Sequence, residues 1–256
     1  MDITVLRFVL TPLLVLTATL VSRRWGPMVG GWLVGLPLTS GPVSVFLLIE
    51  RGNDFAVASA RSTLNGVISV VLFCLAYERV SRKLQWPFAT FAGVAGYFAV
   101  VVLFSRASLP LYVSSALALS AITLGYRAVP PVIEAVDAVV TPAWDLPFRM
   151  IAATTVVVGI TAASGFLGPQ LSGLLSTFPV FTSVMAAFSH HLYGTLTVRK
   201  FMRGVIVGSY AFAVFFIVVV SALQTWHPVV VYLAATCSAL ATNVIVYRVM
   251  SYGGLR

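Results

Sequence analysis

The chain has 256 residues, 59% of them hydrophobic and only 9% charged. A soluble domain carries roughly 25% charged residues, so most of this chain belongs in lipid. The net charge of +9 comes from 16 Lys and Arg against 7 Asp and Glu. In a soluble protein it would suggest nucleic acid, but here the cations fall between apolar runs, as in a polytopic membrane protein that binds no nucleic acid.

Apolar runs of about 17–25 residues are expected to be membrane helices. Nine such runs occur, near 3–21, 27–49, 55–77, 87–105, 110–126, 146–164, 169–190, 201–222 and 228–249. The expected fold class is therefore an all-α polytopic membrane protein. The first run is read as a retained helix, because Arg23-Arg24 follows it, whereas a cleaved signal peptide carries its charges before the run. Breakers separate the runs, among them Arg51-Gly52-Asn53-Asp54, Trp86-Pro87, Leu109-Pro110 and Pro130-Pro131. The longest polar connection, 127–145, holds Glu134, Asp137 and Asp145 and has room for a short interfacial helix.

With nine spans the loops alternate sides. Ten cations (Arg23, Arg24, Arg79, Arg82, Lys83, Arg127, Arg199, Lys200, Arg248, Arg256) fall on one side and two (Arg51, Arg106) on the other, with four inside spans. The positive-inside bias then puts the N-terminus outside and the C-terminus in the cytoplasm. The expected location is the inner (plasma) membrane of a bacterium.

A shift of 142 residues aligns the sequence with itself. Arg7/Arg149, Gly26/Gly168, Pro27/Pro169, Gly31/Gly173, Pro37/Pro179, Gly52/Gly194, Arg61/Arg203 and Gly66/Gly208 are identical at that shift. The expected organisation is a first repeat over 1–108, a connector over 109–144 and a second repeat over 145–256. Equivalent spans are five apart, an odd number, so the copies enter the membrane in opposite directions. Secondary transporters commonly have such inverted repeats, with the site near the midplane between them.

Each copy has a span interrupted near its middle, by Leu36-Pro37-Leu38-Thr39-Ser40-Gly41-Pro42 and by Phe178-Pro179-Val180-Phe181-Thr182-Ser183. Proline removes a backbone donor and clashes with the preceding turn. Broken backbone at membrane depth survives only where protein or a wet cavity covers it. The candidate substrate-binding residues are Pro37, Thr39, Ser40, Gly41, Pro179, Thr182 and Ser183. A half-helix starting there aims free N–H groups and a positive dipole end into the gap, which favours anions. The plain alternative is a proline kink covered by a Ser or Thr hydroxyl.

Arg7, Arg149, Arg61 and Arg203 join the candidates. An arginine inside a span must snorkel, pair or line water, and its guanidinium fork suits carboxylate or phosphate. No acid is expected within a span to pair with them, since all seven Asp and Glu sit at ends or in loops. Two entrances, each guarded by a basic pair, follow from that expectation; structural clamps on helix-end carbonyls are the alternative. Asn243, with Thr236 and Ser238, is a further candidate, with interhelical hydrogen bonding as its alternative. The glycines read as close-packing positions, and His190-His191 as interfacial residues rather than a proton gate.

Nothing suggests an enzyme. There is no nucleotide loop, no acidic dyad or His cluster, and two cysteines in apolar spans are too few for a metal cluster. No cofactor is expected. The expected function is a secondary transporter of an anionic solute, either a small organic anion or a phosphate-bearing lipid headgroup. An anion channel and a non-transporting scaffold of a lipid- or envelope-processing complex are the rivals. Expected partners are the anion and the bilayer, with homo-oligomerisation left open.

Overall fold

The computed structural model describes residues 3–104, 109–132, 142, 144–164 and 178–252, with side chains for all of these except 3–10, 160–164, 247 and 250–252. The described residues are helical with no strand. The helices are α1 (Ile3–Trp25), α2 (Pro27–Val34), α3 (Ser40–Arg51), α4 (Asn53–Ser81), α5 (Trp86–Phe104), α6 (Leu111–Ala128), α7 (Asp145–Ser164), α8 (Val180–Ala222) and α9 (Pro228–Tyr252).

Prolines set most of the starts. Pro27 and Pro228 are first residues, Pro87 and Pro147 sit in first turns, and Pro110 and Pro179 directly precede α6 and α8. First-turn N–H groups have no helical acceptor, so a missing one costs nothing there. In α2 the helix stops at Val34, and Pro37 disfavours helical backbone just before it. The chain resumes at Ser40 as α3, with Pro42 in the first turn.

Four of these helices, α4, α5, α8 and α9, are long and apolar enough to cross a bilayer among the residues described. The protein is thus a helical one of membrane type. Its helices do not map one to one onto the nine expected spans. The second span is split into α2 and α3. The second half of the seventh and all of the eighth run together as α8, 43 residues long with non-helical backbone only at Gly194. A single glycine at φ 77 turns the chain there, so no loop is needed. The expected interfacial helix within 127–145, Gly168-Pro169 and Ser172-Gly173 lie outside the described residues.

The contacts define two ends of the bundle. At one, Asn53 Nδ2 donates to the Leu223 carbonyl (3.3 Å) and Gln224 reaches Asp54 (3.3 Å). At the other, Arg199 Nε donates to Glu78 Oε1 (2.8 Å). Hence α4 and the second limb of α8, 195–222, run antiparallel, from a Gly52 end to a Gly194 end. The start of α7 and the end of α1 share the Gly194 end, since Arg23 pairs with Asp145 and Arg149 reaches the first limb of α8.

The core lies along α4 and α8, where Leu64, Phe73, Tyr77, Phe201, Met202, Ile206 and Phe216 are fully buried. α5 and α9 turn Phe91, Leu103, Leu233 and Ile245 outward, as lipid-facing helices do. Small residues bring α2 onto the second limb of α8, backbone against backbone. A Cβ on Gly31 would collide with the Phe201 carbonyl, and one on Gly204 or Gly208 with the Met28 or Trp32 carbonyl. This is the close approach that small residues permit between membrane helices.

Candidate functional site

The two interruptions meet. One cavity of about 170 Å³ is lined by Val34, Gly35, Leu36, Thr39 and Ser40 from the first break and by Phe178, Pro179, Val180, Phe181 and Thr182 from the second. Its walls continue along α3 (Val43, Ser44, Leu47), α4 (Ser59 to Val70) and the second limb of α8 (Val205 to Phe216). These stretches run toward Gly52, so the cavity occupies the half of the bundle between the breaks and the Gly52 end. It is apolar with hydroxyls set into it: Thr11, Thr39, Ser40, Ser44, Ser59, Thr63, Thr182 and Ser209.

Several of those hydroxyls are already engaged. Ser209 and Thr63 donate to carbonyls one turn back, at Val205 (2.9 Å) and Ser59 (2.9 Å), and Ser44 shares a 2.8 Å bond with the Tyr232 hydroxyl of α9. Ser183 Oγ turns back to the Val180 carbonyl (2.9 Å). Thr182 is only 3% exposed, and no hydrogen bond engages its hydroxyl among the described residues. Neither N-terminus at the breaks is capped by a side chain: Thr39 precedes α3 and Pro179 precedes α8, both without a cap bond. The first-turn N–H groups of both helices therefore lack a side-chain cap and have no helical acceptor, and both turns line the cavity.

Of the expected site residues, Thr39, Ser40, Pro179 and Thr182 line the cavity. Pro37, Gly41 and Ser183 belong to the same turns, Gly41 packing against the Phe215 ring. The side chain of Arg7 lies outside the described residues. The other arginines and Asn243 are elsewhere. Arg61 is exposed on α4. Asn243 is buried in α9, with Oδ1 unpaired; Thr236 bonds its own helix at the Tyr232 carbonyl (2.8 Å).

Arg149 and Arg203 are clamps. Arg149 is 1% exposed. Its Nε donates to Asp145 Oδ1 (2.7 Å), its Nη1 reaches the Met185 carbonyl (3.5 Å) and Ser189 Oγ (3.4 Å), and its guanidinium lies over the Phe188 ring. Arg203 ties α8 to the end of α6, donating to the Val129 and Tyr126 carbonyls while stacking 4.2 Å from the Tyr126 ring centre.

The expectation that no acid would pair with a span arginine is thereby corrected. Asp145 is the first residue of α7, yet its side chain is fully buried between Arg149 and Arg23. Glu78, near the end of α4, is 1% exposed and takes Arg82 through two 2.8 Å bonds as well as Arg199. The hydrogen bond from Glu78 holds the Arg82 guanidinium above the ordinary arginine range, so it stays charged. The signal was present in the sequence as two acid–arginine pairs at i,i+4, Asp145/Arg149 and Glu78/Arg82. What was missing was that a carboxylate at a helix end can still be covered by neighbouring helices.

His190 is buried beside the Tyr77 hydroxyl (3.4 Å), and His191 is exposed against Trp86. The described residues hold no group of three or more His, Cys, Asp or Glu side chains placed to bind a metal. The chain matches no protein-family model, no curated protein and no solved structure. The cavity and its geometry are therefore the whole basis for a functional reading.

Proposed function

We propose that this protein is an inverted-repeat secondary transporter that holds a small anionic solute in the cavity where the two broken helices meet. The observation that carries the reading is the lining itself. Two proline-broken segments 142 residues apart supply opposite walls of one cavity at the middle of a helical bundle. Discontinuous helices of this kind aim N-termini at anionic groups in transporter sites.

The repeat has further support. α1 and α7 start 142 residues apart, at Ile3 and Asp145, and α5 and α9 do the same, at Trp86 and Pro228. Lining residues also come in pairs at that offset: Leu36/Phe178, Thr39/Phe181, Ser40/Thr182, Thr63/Val205, Val67/Ser209 and Val70/Phe212. A cavity lined by equivalent residues of both copies sits where their pseudo-symmetry axis would pass. The antiparallel run of α4 and the second limb of α8, which are equivalents, suits copies of opposite direction.

In this reading the nine spans cross as the sequence implies, with the Gly194 end in the cytoplasm and the Gly52 end outside. The attraction for the anion comes from the two uncapped N-termini and the hydroxyls around Ser40 and Thr182, since Arg149 and Arg203 are already committed to the fold. A cavity of this size, lined by hydroxyls and aliphatic side chains, suits a small organic anion or the phosphate of a headgroup.

The test is flux in proteoliposomes over a panel of small carboxylates and phosphate esters. Saturable flux, stimulated by unlabelled anion on the far side, is the expected result. Unsaturable flux would point to a pore. Absence of flux for every anion, with Ser40→Ala and Thr182→Val indistinguishable from the parent chain, would leave only a scaffold.

A further inference from the structure

The Gly194 half of the bundle is shut, and the way it is shut is specific. α2 lies against the second limb of α8 through Gly31, Gly204 and Gly208. Around that seam stand the two buried carboxylates, and each has two arginines of different standing. Glu78 keeps Arg82, four residues along its own helix, and also takes Arg199 from α8. Asp145 keeps Arg149, four residues along its own helix, and also takes Arg23 from α1. In both clusters the resident arginine belongs to the same sequence repeat as the carboxylate, and the visiting arginine belongs to the other.

We propose that Glu78–Arg199 and Asp145–Arg23 are releasable latches that hold the Gly194 side closed while the cavity occupies the Gly52 side, and that they part when one repeat moves against the other. The proposal rests on the transporter reading and names the gate of that same site. The physical argument concerns the partner left behind. Breaking a buried ion pair is costly because it strands a charge in low dielectric. Here neither carboxylate is stranded, because Arg82 stays on Glu78 through two bonds and Arg149 stays on Asp145 at 2.7 Å. The arginines that leave are also the more accessible members. Arg23 is 32% and Arg199 20% exposed in their side chains, so water can receive them, while Arg149 is 2% exposed and stays. An ordinary structural cluster has no reason to repeat this division of roles on two carboxylates from different repeats.

The experiment reads which side of the membrane reaches the cavity. Cys237 is exposed and is first removed as Cys237→Ser, while Cys74 is buried. Ser209→Cys then reports from the cavity wall to a charged, membrane-impermeant maleimide added to one side of oriented proteoliposomes. In the parent, labelling is expected from the Gly52 side. Arg23→Gln and Arg199→Gln should each raise labelling from the Gly194 side about tenfold, the order of one charge-assisted hydrogen bond. Arg82→Gln, which leaves the cross-repeat bond in place, should not raise it. Should the double variant fail to fold, either single variant carries the same test. Unchanged Gly194-side labelling in Arg23→Gln and Arg199→Gln, or an equal rise in Arg82→Gln, overturns the latches. A labelling switch without flux for any anion would keep the latches and remove the transport reading. Flux without a switch would do the reverse.

Discussion

Gly52 and Gly194 stand 142 residues apart and share one unusual backbone, φ 82 and ψ 177 at the first, φ 77 and ψ −174 at the second. Each is the whole connection between two helical segments, α3 to α4 and the first to the second limb of α8. This region is essentially reserved for glycine, and it lets a helix end and another begin with one residue between them.

Alanine at either position should therefore cost about 1–3 kcal/mol through the backbone alone. The space around both is open, so no clash contributes. Gly159, inside α7 and also in open space, is the control. Alanine there should be neutral or stabilising by up to about 1 kcal/mol, because it raises helix propensity. Thermal unfolding of the three purified variants checks the contrast, and equal effects at all three would contradict it.

Removing a buried carboxylate should hurt more than removing its cluster. Asp145→Asn leaves Arg149 buried with no counter-charge, which typically costs about 3–5 kcal/mol. Asp145→Asn combined with Arg149→Met should recover part of that loss, since an apolar replacement of similar volume is tolerated where a stranded charge is not. Unfolding of the single and double variants, compared as a cycle, gives the answer. A double variant less stable than the single would refute it.

The two repeat-equivalent arginines should behave differently. Arg203 bridges α8 to the end of α6 and covers the Tyr126 ring, so Arg203→Ala should lose about 2 kcal/mol or more through unpaired carbonyls and lost packing. Arg61 is exposed on α4, and Arg61→Ala should stay within about 0.5 kcal/mol. Yield and melting temperature measured side by side decide this. Matching losses would mean that Arg61 has a partner in the folded protein.

Within the cavity, the free hydroxyl should matter more than the engaged one. Thr182→Val removes a hydroxyl with no protein partner, whereas Ser209→Ala removes one bonded to Val205. If the solute hydrogen-bonds at the breaks, Thr182→Val should lower flux about tenfold, the order of one such bond to a charged group. Ser209→Ala should change flux much less. Initial rates in proteoliposomes, at matched reconstitution, test the difference.

Much of this was legible before the structure. Helix starts follow from Pro27, Pro110, Pro179 and Pro228, because proline suits a first turn and little else in a helix. The interruption after Val34 follows from Pro37 and that before α8 from Pro179, and the offset of 142 makes them equivalents. All of that is local chemistry plus counting, which a linear sequence contains. The destinations of the charges were not legible. Arg23 and Asp145 are 122 residues apart, and Glu78 and Arg199 are 121 apart. Their pairing depends on which helix ends the packing brings side by side. Span arginines and end-of-helix acids therefore looked separate in sequence. Folding puts two of those acids under neighbouring helices, where burying a carboxylate demands a cation, and so turns Arg149 from a candidate ligand into a clamp. Arg203 became one as well once packing laid it over the end of α6.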